Sequence, residues 1–277
     1  MLDDDSQFLA KPELEIYADD VACSHGSTTG AIDEDALFYL QSRGVPKDEG
    51  VTLLTLAFLA EALEEIAEAS EGIAVSVGLP MVVEGSVFNT TAFIWDQEVI
   101  GFVAKQELAG DGIYYEPRWF KRWEEKAVVI YTWNGREYPF GDLIFELDGV
   151  RIGFEICEDA WNGDRPAQDH YRHNVDLILN PSASNFAFGK TEIREMLVRE
   201  ASRAFTCTYV YSNLLGNDSG RIIFDGEILI AQSGNLHARN RRFGFEDYQV
   251  LPAVVDIEAP RLTRKKSFNI LSIDNLI

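Results

Sequence analysis

The 277-residue chain carries 24 basic against 46 acidic side chains, a formal charge of −22, with 46% hydrophobic and 25% charged residues. That balance belongs to one large globular domain or two small ones and excludes disordered, collagenous and low-complexity chains. The acidity disfavours nucleic-acid and anionic-membrane partners; no apolar run approaches the roughly 20 residues of a membrane span, and MLDDDSQ lacks a signal-peptide start, so a cytoplasmic protein is expected.

From Glu34 to Ser70 the pattern is helical, with a break at Gly44-Val45-Pro46. Val51 to Ala69 is amphipathic, setting Leu53, Leu56, Leu63 and Ile66 beside Glu61, Glu64, Glu65 and Glu68. After Gly72 short β-rich runs follow, IAVSVGLP (73–80), FNTTAFIW (88–95) and EVIGFVAK (98–105). DLIFEL (142–147) and VRIGFEIC (150–157) are joined by Asp148-Gly149, a two-residue hairpin turn, which puts Cys157 at a strand's end. VDLILNPSAS (175–184), a helix from Lys190 to Phe205, and strands at 208–213, 221–226, 227–232 and 251–257 complete the reading. Strands between amphipathic helices predict a layered α/β sandwich.

Cys23, Cys157 and Cys207 form no CxxC pair, so neither a disulfide framework nor a cysteine zinc site is signalled, and no metal or cofactor is expected. FEICEDAW surrounds Cys157 with polarity that a packing cysteine does not need, although free cysteine is also a common core residue. A nucleophile needs partners, and Lys105, ending a strand, and Glu116, in a Gly- and Tyr-rich loop, can lie on the rim of the same cleft. A solvated surface lysine is the plain alternative for Lys105.

The runs SVGLPM, FNTTAFI, AKQELAGDGIYYEPRWF, GFEICEDAWNGDRP, LILNPSASNFAFGK and VYSNLLGND, in this order, resemble the carbon-nitrogen hydrolase (nitrilase) superfamily, and in particular the glutaminase part of glutamine-dependent NAD synthetases. The resemblance implies a four-layer α-β-β-α sandwich over residues 67–277, N-terminally truncated and lacking its first strands. It also implies glutamine as substrate, Cys157 as nucleophile through a thioester, Lys105 as oxyanion stabiliser and Glu116 as the second glutamate that orders the site. Ser184 and Glu158 are the candidate substrate contacts, with a turn or helix cap as the other reading of Ser184. Trp161, Asp164 and Arg165 read either as a lid-like segment or as a polar surface loop. The glutamate that serves as general base in that superfamily has no counterpart in EDALFYLQSRGV, where only Glu34 and Glu49 lie near, both in helical context. Impaired turnover is therefore expected. Homo-oligomers are also implied. No SGGxDS-type loop follows residue 257, so a separate synthetase domain is the expected receiver of ammonia.

FLAKPELEIYADDVACSHGSTTGAIDEDALFYLQSRGVPKDE, continued by VTLLTLAFLAEALEEI, resembles the C-terminal part of the SufD subunit of the SUF iron-sulfur assembly complex. The likeness covers the first 65 residues and defines a mainly helical segment, 1–66, in which His25 matches a histidine at the subunit interface and Cys23 is its neighbour. One His and one Cys supply two ligands where clusters take four, which favours a surface-loop role for His25. The junction in ALEEIAEASEGI reads as a fusion, and the alternatives to a glutaminase are a SUF interaction protein or an inert chimera.

Overall fold

The computed structural model describes residues 32–110, 114–217, 222–246 and 248–265. His25 and Cys23 lie outside them. Two helices lead: α1 (Glu34–Ser42), whose first amides are capped by the Asp33 carboxylate, and α2 (Lys47–Glu68).

The first sheet contains β1 (Ala74–Val83), β2 (Ser86–Trp95), β3 (Glu98–Ala104), β4 (Val128–Trp133) and β5 (Arg136–Gly141), in the order β1-β2-β3-β5-β4. The short helix α3 (Glu116–Trp119) lies between β3 and β4. The second sheet contains β6 (Phe145–Leu147), β7 (Val150–Phe154), β8 (Leu177–Ser182), β9 (Thr208–Asn213), β12 (Ile228–Gln232) and β13 (Asn235–Arg239), in the order β13-β12-β9-β8-β7-β6. A two-stranded ribbon, β10 (Leu215–Asn217) and β11 (Ile223–Asp225), precedes β12. β7, β8 and β9 run parallel because α4 (Pro166–Arg172) and α5 (Lys190–Ala204) make the crossovers between them.

Side-chain alternation along the strands sorts the core into layers. Phe93 and Val103 of the first sheet meet Phe145, Ile152 and Phe154 of the second. Ala92, Ile94 and Phe102 point the other way, and Leu63 and Ala67 of α2 pack with them. Val198 and Ala201 of α5 and Ala167 of α4 cover the outer face of the second sheet, over Ile178, Tyr209 and Leu229. The result is the expected four-layer α-β-β-α sandwich. Each fully buried Phe in it contributes about 1.5–3 kcal/mol. α4 can approach β7 because residue 153 is glycine: a Cβ there would stand 2.7 Å from the His170 ring.

Several elements differ from expectation. The hairpin β4–β5 was readable from Asn134-Gly135, whose φ angles of +48° and +75° suit its tight turn. α4 starts at a proline, a good first helical residue, and β13 likewise lies in sequence to which no element was assigned. No strand forms over 251–256: Pro252 lacks an N–H, and β13 already occupies that edge of the sheet. β7 ends at Phe154, so Cys157 lies in the turn beyond the strand and not within it.

Candidate active site

The carboxyl ends of β3, β7, β8 and β9 open on a cavity of about 770 Å³ that is lined by Lys105, Glu116, Cys157, Ser182, Ala183 and Asn213 among others. Strand ends of this kind are the usual ligand sites of α/β sheets. The three residues expected to act together are brought together here.

Lys105, the residue after β3, is 2% exposed. Its Nζ donates to Glu116 Oε2 at 2.5 Å. The same carboxylate accepts from the Ala109 amide (2.7 Å) and from Asn89 Nδ2 (2.6 Å), so all three donors fix its orientation. Glu116 can reach them because it opens α3, where its own amide donates to the Ala109 carbonyl at 3.1 Å.

Cys157 begins a 3₁₀ turn (Cys157–Trp161) with φ +50°, a left-handed conformation that is uncommon for a residue with a Cβ. Such strain gathers at functional sites because the surroundings must hold it in place. Burial pushes the thiol pKa up; the Lys105 ammonium, the Ala183 backbone and the Ser182 hydroxyl pull it down, Glu116 pushes it up, and the balance stays above the ordinary value. Among the described residues that line the cavity, Glu116 is the one carboxylate, and no histidine lines it. Glu34 and Glu49 lie on the exposed faces of α1 and α2, away from the cavity.

Ser184 is 2% exposed and follows the lining residues Ser182 and Ala183 in the chain, outside the lining itself. Its amide donates to Asn213 Oδ1 (2.8 Å), and its carbonyl accepts from Asn213 Nδ2 (2.9 Å) and Arg194 Nη2 (2.8 Å). Glu158 occupies the second position of the 3₁₀ turn, outside the cavity lining. Arg165 does not form a lid: its guanidinium turns inward, pairs with the fully buried Glu155 and donates to the Tyr209 hydroxyl. Trp161 sits beside Lys190, whose Nζ lies 5.8 Å from its ring and 5.7 Å from that of Tyr114. Asp164 is exposed.

Four residues were not singled out from sequence. Asn89 orients Glu116, and Tyr114 exchanges hydrogen bonds with Asn185 at the cavity wall. Lys190 donates to Asn185 Oδ1 at 2.7 Å, and Asp159 ties two loops together. FNTT and CED held the signal for two of them, but nothing in one dimension says what a lone Asn or Asp will reach. Among the described residues no group of three or more His, Cys, Asp and Glu side chains gathers as a metal site, and no helix is long and apolar enough to cross a membrane.

A solved glutamine-dependent NAD(+) synthetase from Cytophaga hutchinsonii is 40% identical, with a TM-score of 0.63 over 77% of this chain and 37% of that one. The sandwich has the carbon-nitrogen hydrolase fold. A carbon-nitrogen hydrolase from Helicobacter pylori G27 shares the fold at 16% identity, with a TM-score of 0.62 over 76% of this chain and 71% of that one. The glutamine-dependent NAD(+) synthetase of Drosophila melanogaster is 32% identical over 203 residues, 70% of this chain and 26% of the relative. The chain thus spans about a quarter to a third of the length of such relatives. Residues 1–58 match a different family, described as SUF system FeS cluster assembly, SufBD core domain. That match ends inside α2, five positions before Leu63, the first α2 side chain buried against the first sheet.

Proposed function

We propose that residues 67–277 form a glutamine amidohydrolase unit in which Cys157 is the nucleophile. The observation that carries this reading is the convergence of Cys157, Lys105 and Glu116, from three separate elements, on one cavity. The Cys157 thiolate attacks the side-chain amide carbon of glutamine, and the carbonyl oxygen takes the negative charge beside the Lys105 ammonium. The C–N bond breaks, the proton lost by the thiol leaves with ammonia, and water hydrolyses the thioester to glutamate. Glu116 holds the lysine in place, while Ser184 and Glu158 stand outside the cavity lining and have no substrate contact in this reading. The sequence likeness to glutamine-dependent NAD(+) synthetases supports glutamine as the substrate and a synthetase domain as the consumer of ammonia.

Turnover is slow in this reading. Glu116 is already held by three donors, and the raised thiol pKa leaves little thiolate at neutral pH. The test is ammonia release from glutamine by the full chain against Cys157→Ala. Slow release that the substitution abolishes supports the reading; equal release by both chains overturns it.

A second reading rests on the match over residues 1–58: the segment 1–66 serves as a SUF docking element. Co-purification with SUF subunits tests it, and failure to retain them removes it.

A further inference from the structure

Asp159 is buried, 2% exposed, and its carboxylate accepts from three backbone amides. Oδ1 accepts from the amides of Gln106 (3.1 Å) and Glu107 (2.6 Å), the two residues that follow Lys105. Oδ2 accepts from the amide of Ile156 (2.8 Å), the residue that precedes Cys157. One side chain therefore bridges the loop that leaves the first sheet and the turn that leaves the second. We propose that Asp159, as a carboxylate, is the positioning residue of this site, holding the Lys105 and Cys157 segments at a fixed separation and keeping Cys157 in its left-handed turn. This rests on the reading of Cys157 as the reactive group.

Chemistry favours the charged form for that task. A carboxylate is acceptor-only, so three converging N–H groups are satisfied by it, whereas an amide offers one oxygen and presents N–H to N–H on its other side. The charged groups that face it are the Lys105 ammonium from the end of β3 and Glu155 from the end of β7; the Glu107 carboxylate is paired with Arg122. Burial pushes Asp159 up to about 7, against the pull of the Glu107 and Ile156 amides and of Lys105, while Glu155 adds to the push. The bridge is therefore at full strength only above neutral pH.

Alkylation of Cys157 by iodoacetamide in the full chain tests this, read by peptide mass spectrometry from about pH 5.5 to about pH 8.5 with a thermal melt of each variant. In the parent chain, log rate should climb with a slope clearly above one around pH 7, because the thiol must lose its proton and the neutral form of Asp159 reacts more slowly. Asp159→Asn should show a slope of one and react at least about tenfold more slowly at pH 8, and Asp159→Glu should recover most of that loss. The direction is decisive. Removing a negative neighbour would by charge alone speed a thiol up, so slower alkylation reports lost positioning. Rates within twofold and equal slopes in parent and Asp159→Asn overturn the proposal. Should that variant not fold, Asp159→Ser decides at pH 8, and a rate within twofold of the parent's overturns the proposal. Because the readout is not turnover, a chain that alkylates as expected but releases no ammonia removes the glutaminase reading and leaves this one standing.

Discussion

Lys105→Met leaves a carboxylate where an ion pair stood, and its cost follows from the geometry. The pair is 2% and 15% exposed with 2.5 Å between Nζ and Oε2. Breaking a buried pair by removing one partner costs about 3–5 kcal/mol. Two of the three donors to Glu116, the Asn89 amide and the Ala109 N–H, survive the change, which puts the cost near about 3 kcal/mol, at the low end of that range. For a domain of this size the melting temperature should fall by about 6–12 °C. Glu116→Gln should be costly for the converse reason, an ammonium left in the interior. The double variant, with neither charge present, should lose less than the sum, by about 1–3 kcal/mol of coupling. Glutamine hydrolysis by Lys105→Met should fall about 100- to 1000-fold, since the oxyanion loses a donor and the thiol a cation that lowers its pKa. Urea or thermal unfolding of the four chains closes the cycle. Single effects that add to within about 0.5 kcal/mol, with hydrolysis unchanged, would refute the arrangement described for Lys105 and Glu116.

Leu63→Ala should destabilise the chain by about 2–5 kcal/mol in urea unfolding, because Leu63 is α2's main seal over the outer face of the first sheet; a loss below about 0.5 kcal/mol would mean that α2 does not cover it. Asp176 accepts from Arg261 and Arg264, which tie the helical stretch 258–265 to the second sheet. Burial pushes its pKa up, but Arg261, the Arg151 amide and Arg264 together hold it below the usual carboxylate range. For an acid with a depressed folded pKa, the stabilisation is present above the unfolded value of about 3.9 and disappears as pH falls through the folded value. Asp176→Asn should thus release 258–265 at neutral pH, and acid below the depressed folded value of Asp176 should do the same to the parent; retained hydrogen-exchange protection in both would contradict it.

Sequence alone determined the layered α/β class, the Asp148-Gly149 hairpin, the amphipathic helices and the three residues, Cys157, Lys105 and Glu116, that now share a cavity. Those features are legible because period, turn residues and motif order are local properties of a chain. The cover that α2 provides for the first sheet, the inward turn of Arg165 toward Glu155 and the anchoring of Ser184 by Asn213 and Arg194 were decided by tertiary structure. So were the partners of Asp159 at 106 and 107, which lie more than fifty positions away. The physical reason is common to all four. A side chain's pattern predicts which face it prefers, but which donors and apolar atoms wait on that face depends on how the layers close, and no short-range signal encodes that.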